Sequence, residues 1–336
     1  MNPVSGFNVS QPPLPPQQKS KNRAIIVVAI VLAGLIVIGI VAGIGIALSN
    51  MAGATVGTGG IDVVYIEGTI SADTSSNSMW STQVYNQTYT MNTIKSLIED
   101  PTSEAILLYV NTPGGSVYET DEVYLKLLEY KETGRPVYAY FAQTAASGGY
   151  YIACAADKVY CNRNTLTGSI GVIYGTYLDV SEFLSNYGVR TNTFTSGANK
   201  SMGSSYEPMT EQQKAIFQSL VQEAYEQFVD VVATGRKMQK SAIYPLADGR
   251  VYTAKQALEA GLVDEIATYE TALASIKEAL GDPQMAVNDH KRSVSVSFSS
   301  LFSMLSKIRG QSEAEVILDA VTAYNKTGYY CAELAQ

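Results

Sequence analysis

A chain of 336 residues that is 46% hydrophobic can bury the core of one large or two ordinary domains, so size alone excludes little. A formal net charge of −8 with no basic stripe opposes nucleic acid as a partner. The three cysteines, Cys154, Cys161 and Cys331, are an odd set without metal-ligand spacing, and no Walker-type phosphate loop occurs, so neither a disulfide scaffold nor a metal or nucleotide cofactor is expected.

The first 23 residues carry Pro12, Pro13, Pro15 and Pro16 and too few apolar side chains to fold, which predicts an extended, disordered head. Residues 24–48 then run without a charge. As a helix they would reach about 37 Å, enough to cross a hydrocarbon core of about 30 Å with some tilt. Lys19, Lys21 and Arg23 stand just before the run and predict a cytoplasmic N-terminus, with everything after Asn50 on the outer face. A cleaved signal peptide is the competing reading, with Ala52-Gly53-Ala54 as its small-residue site. The apolar run exceeds the ~7–15 residues of a signal-peptide core, which favours a retained anchor. Gly39 and Gly43 form a GxxxG that suits helix pairing, although glycine is common in membrane helices generally. Residues 49–60 read as a linker.

From Ile61 strands and helices alternate. Ile61–Ile66 reads as a strand, Thr90–Glu99 as a helix, Ala105–Val110 as a buried strand and Val117–Tyr130 as a helix. Pro136–Phe141 is the next strand, Thr144–Gly149 a turn, Tyr150–Ala156 a helix and Lys158–Cys161 a strand. This order predicts right-handed βαβ units and an α/β fold with parallel sheet, whose chemistry gathers at the carboxyl ends of strands. A long helix is expected over Thr210–Thr234, opened by a capping box of Thr210 and Gln213. A turn, a short strand and a helix capped by Thr253 follow Asp248. The globular domain is placed at 61–280 and a C-terminal tail at 281–336, suited to covering a neighbouring subunit or filling a groove.

Both glycine-rich turns fall at strand ends. Thr144-Ala145-Ala146-Ser147-Gly148-Gly149 sets a single hydroxyl between small residues at a strand-to-helix turn, where helix N–H groups lie unpaired. Ser147 is therefore the candidate nucleophile, although serine at a helix start is more commonly a cap. The single histidine, His290, lies in a polar stretch beyond the expected domain, so the base must be another residue. Lys200, in Ser196-Gly197-Ala198-Asn199-Lys200, is the candidate, because Ser-Lys pairs are a variant of the triad logic. A lysine acting as a base must be desolvated, since an ordinary one is protonated at neutral pH. The N–H groups of Gly114, in Asn111-Thr112-Pro113-Gly114-Gly115, and of Gly148 are the candidate oxyanion donors, and Ser169, in Thr167-Gly168-Ser169, the hydroxyl that orients the lysine.

These motifs, with Ala145–Tyr151 and Asp248-Gly249-Arg250-Val251-Tyr252, resemble the signal peptide peptidase A family in its short form, over about Ile61 to Leu280. The family comprises bacterial membrane-anchored Ser/Lys peptidases related in fold to the crotonases and the Clp protease subunit. The resemblance implies a crotonase/Clp-protease-like domain with repeated ββα/βαβ units, serine endopeptidase activity on remnant signal peptides and other short unfolded chains, and a homo-oligomeric ring. It implies a single-pass protein of the bacterial cytoplasmic membrane, held in lipid through residues 24–48. Two rivals share the fold: a crotonase-type acyl-thioester enzyme, which would want a carboxylate base, and a non-catalytic assembly protein.

Overall fold

The computed structural model describes residues 59–73 and 85–292. The expected head, the 24–48 span, nearly all of the linker and the tail beyond Arg292 lie outside the described residues. Among the described residues no helix is long and apolar enough to cross a membrane.

Three strands rich in branched and aromatic residues form the centre: β1 (Gly60–Glu67), β2 (Ser103–Thr112) and β3 (Val137–Ala146). They pair in parallel, with Val63 opposite Leu107 and Leu107 opposite Tyr138. Both faces are covered, as a parallel sheet requires. On one face Ile106, Leu108 and Phe141 pack with Ile94 and Leu97 of α1 (Gln87–Glu99), Val123 and Leu127 of α2 (Val117–Glu132), and Tyr150 and Ile152 of α3 (Gly148–Ala153). Phe228, Val229 and Val232 of α5 (Glu211–Gly235) join the same cluster, and α4 (Ser181–Asn186) precedes that helix. On the other face Ile61, Val63, Leu107 and Tyr140 meet Ala272 and Ile276. The last two belong to α8 (Tyr269–Ala279), which follows α6 (Lys240–Ile243) and α7 (Ala254–Glu259).

The free edge of β3 is shared. Its first half pairs with β4 (Lys158–Cys161) and its second with β5 (Leu166–Gly168), both in parallel. β6 (Val251–Thr253) continues from β5 antiparallel, and β7 (Glu265–Ile266) from β4 in parallel. The sheet thus forks beside Ala142 and Gln143. Pairing of Thr144–Ala146 with β5 carries β3 to Ala146, where the sequence suggested a turn from Thr144, and α3 begins at Gly148 rather than Tyr150. The capping box of Thr210 and Gln213 forms as expected, and so does the Thr253 cap, with Gln256 as its partner.

One expectation is corrected. The sheet continues past Leu280, because β8 (Ala286–His290) adds in parallel to β1, so His290 belongs to the domain rather than to a polar stretch beyond it. Its Nε2 lies 2.8 Å from Oδ1 of buried Asp62, which also accepts from Asn288 Nδ2 at 3.2 Å. Those partners sit near the start of β1, whereas Ser147 follows the carboxyl end of β3. These bonds add to the parallel pairing with β1 and to the packing of Val287 against the core.

Candidate active site

Ser147 links β3 to α3 with φ 54° and ψ −119°, in the left-handed half of backbone space that costs a non-glycine residue about 1–3 kcal/mol. Two backbone bonds hold it there: its N–H donates to Gly168 O at 2.8 Å, and its carbonyl accepts from Tyr151 N at 2.9 Å. The side chain is wholly buried, makes no capping bond to α3, and leaves Oγ without a hydrogen-bond partner. A serine that only capped a helix would spend its oxygen on an N–H of the first turn. This one does not.

The two residues after Ser147 are crowded. A β-carbon on Gly148 would stand 2.6 Å from Thr120 Oγ1, and one on Gly149 would stand 2.5 Å from Thr112 Cγ2. Gly149→Ala is therefore expected to destabilise the domain by about 2 kcal/mol, in the range of core overpacking. A melting curve superimposable on the wild type would disprove the crowding. Thr120, in α2, is itself buried with an unpartnered Oγ1, so two orphan hydroxyls flank Gly148.

Gly114 closes the site from the preceding turn. It has φ 105°, and a β-carbon there would meet Gly148 N at 2.7 Å and Ser147 Cβ at 2.8 Å, so the two glycine-rich turns are in direct contact. Ile70 pins this turn, donating its N–H to Gly114 O at 2.8 Å and accepting from Ser116 N at 2.8 Å. The Gly114 N–H is engaged by Thr112 Oγ1 at 3.0 Å. Gly148 supplies the first N–H of α3, a group with no partner inside a helix.

Ser169 is buried with φ 50°, and its N–H donates to Arg250 O at 2.8 Å. The bond from Ser147 N to Gly168 O makes its turn a direct neighbour of the nucleophile candidate. Ser147, Gly114, Gly148 and the Ser169 turn thus come together. Lys200 does not join them in the single chain. It sits in an exposed turn closed by its own N–H to Gly197 O at 3.1 Å, and no hydrogen bond reaches it from Ser147 Oγ. That turn belongs to a segment running from Val172 to Thr210 that exposes large side chains, with Phe183 61%, Tyr187 74% and Phe194 96% accessible.

Sequence reasoning missed Thr112, Thr120 and Ile70. Thr112 stands inside the Asn111–Gly115 motif and was readable as a turn residue, but Thr120 owes its place to packing and Ile70 to backbone bonds across the fold. Cys154 and Cys161 are buried, which pushes their thiols up to about 12 and about 11 and removes them as nucleophiles.

A mainly parallel α/β sheet brings a strained serine and two glycine turns to the carboxyl ends of β2 and β3, an arrangement suited to acyl chemistry. Residues 129–281 match the model of peptidase family S49 and residues 64–175 that of the Clp protease. Over those residues the chain is similar to the S49 peptidases. It is 42% identical over 209 residues to the protein named "Putative signal peptide peptidase SppA" of Enterococcus faecium, covering 62% of this chain and 60% of that one. It is 31% identical to Protease 4 of Haemophilus influenzae over 57% of this chain and 31% of that one. With the chloroplastic serine protease SPPA of Arabidopsis thaliana it shares 31% identity over 56% of this chain and 28% of that one. The chain therefore spans less than two thirds of the length of these relatives.

Proposed function

We propose that the chain is a serine endopeptidase in which Ser147 attacks the scissile carbonyl and Lys200 takes and returns the proton. The observation that carries this reading is the buried Ser147 Oγ, held without a partner at a strained turn against the Gly114 and Gly148 backbones. Oγ bonds to the carbonyl carbon, its proton passes to the lysine amine, and the oxygen charge falls between the N–H groups of Gly148 and Gly114. On collapse the protonated lysine gives its proton to the leaving amine, and water then hydrolyses the acyl-enzyme by the same path. Ser169 would hold the amine in line. Substrates would be remnant signal peptides and other short unfolded chains, bound extended in a groove near the membrane. Residues 24–48 would anchor the protein in the bacterial cytoplasmic membrane with the 61–280 domain, extended by β8, on the outer face.

The exposed rings of Phe183, Tyr187 and Phe194 support a homo-oligomeric ring. A neighbouring copy would cover them and take Lys200 out of water, as a lysine base requires. Among the described residues the acid nearest in sequence to the 114–115 turn, Glu119, accepts a hydrogen bond from Ser116 Oγ, which speaks against its serving as the base in place of the lysine. The test is cleavage of a synthetic signal peptide by the full chain in detergent, with light scattering for the assembled mass. Turnover by an oligomer, lost in Ser147→Ala, is the expected result. An inert but folded wild type would favour the assembly-protein reading.

A further inference from the structure

Thr112 ends β2 and is wholly buried. Its two branches touch the two turns of the site separately. Oγ1 accepts the Gly114 N–H at 3.0 Å and lies 3.4 Å from Gly114 O, while Cγ2 is the atom that a β-carbon on Gly149 would strike at 2.5 Å. On the opposite side of Gly114, Ile70 N–H holds its carbonyl at 2.8 Å. Both polar groups of Gly114 are thus fixed before any substrate arrives, the carbonyl by a backbone donor and the N–H by one side-chain oxygen.

We infer that the Thr112 hydroxyl is a positioning residue for the acyl chemistry of Ser147: it sets the orientation of the Gly114 peptide against Gly148 and so pre-forms the oxyanion site. This rests on the serine-peptidase reading above. An oxyanion site stabilises the transition state only if its donors are aimed beforehand, because reorienting a peptide during the reaction consumes the stabilisation it would give. A developing oxyanion draws the Gly114 N–H into a three-centre bond shared with Thr112 Oγ1, a geometry common where one N–H faces two acceptors. Without the hydroxyl, the 113–114 peptide that carries this N–H loses its partner, and only the next peptide is held, by Ile70 N–H on Gly114 O. The methyl group has a different task, filling the space against Gly149, so the two branches can be tested apart.

The full chain in detergent is assayed on a synthetic signal peptide as wild type, Thr112→Val, Thr112→Ser and Ser147→Ala, with circular dichroism to monitor folding. Valine keeps the shape and loses the hydroxyl; serine keeps the hydroxyl and loses the methyl. Thr112→Val is expected to lower kcat about ten-fold with KM within about two-fold, the signature of an interaction used in the transition state. Thr112→Ser is expected to keep the wild-type kcat even if it melts earlier. A kcat in Thr112→Val equal to or above wild type overturns the inference, and so does a loss in Thr112→Ser as large as in Thr112→Val. If the valine variant does not fold, Thr112→Cys replaces it, since a thiol has nearly the shape of the serine side chain but accepts hydrogen bonds weakly; turnover equal to Thr112→Ser would then overturn the inference. Wild-type cleavage that persists in Ser147→Ala would bring down the peptidase reading itself, and the role of Thr112 with it.

Discussion

Ser147→Ala is expected to remove peptide hydrolysis by about 10⁴-fold or more while leaving the domain as stable as the wild type or slightly more so. The two halves of this expectation have one cause. In the proposed mechanism Oγ is the reacting atom, so its loss ends covalent catalysis, and it makes no hydrogen bond in the folded chain, so its loss breaks none. A buried hydroxyl without a partner costs about 1–3 kcal/mol, and alanine removes that cost together with the atom. Ser147→Gly should be more stable still, because it also releases the strain of φ 54°. Such a gain from deleting a side chain is characteristic of a residue kept for function at the expense of stability. Thermal melting beside the cleavage assay checks both halves. Retained turnover in Ser147→Ala would exclude Ser147 as nucleophile, and a marked drop in melting temperature would show that Oγ makes a structural bond after all.

The central strands were legible because Ile61–Ile66, Ala105–Val110 and Pro136–Phe141 are apolar runs of strand length broken by turn residues. A strand buried on both faces leaves that pattern. β8 left too little: Ala286-Val287-Asn288-Asp289-His290 turns polar after two residues, and it joins the sheet by parallel pairing with β1 and by the bonds of Asn288 and His290 to Asp62. The fork at β3 was equally hidden, since nothing in Thr144–Ala146 announces that β5 will take over the edge from β4. At the site, Ser147 and the glycines were readable because close approach of two backbones demands small residues, and that demand is written in composition. Thr112 and Thr120 act through contacts across the fold, to Gly149 and Gly148, and contacts of that range have no local signature. For Lys200 the sequence offers the residue type that the chemistry needs but not its place. In the single chain it stands in solvent on a segment whose large side chains are uncovered, so the position the proposed mechanism asks of it requires that segment to be covered.

Lys200→Arg is accordingly expected to be as inactive as Lys200→Ala, at least about 10³-fold below wild type, with folding and assembly unchanged. Arginine keeps the charge, the length and the hydrogen-bond donors of lysine, and differs in one respect that decides the matter: the guanidinium does not give up its proton in a protein, so it has no lone pair to receive the one on Ser147 Oγ. If Lys200 served only as a surface charge, or steered anionic groups toward the site, arginine would do as well. Its exposure in the single chain limits the effect on protomer stability to about 0.5 kcal/mol, and the assembled mass must be checked because the proposed neighbour packs over it. Loss of turnover without loss of melting temperature or assembled mass would then belong to proton transfer. Wild-type-like turnover in Lys200→Arg would remove lysine from the mechanism and leave Ser147 needing a base that neither buried Ser169 nor His290, bound to Asp62 near the start of β1, is placed to supply.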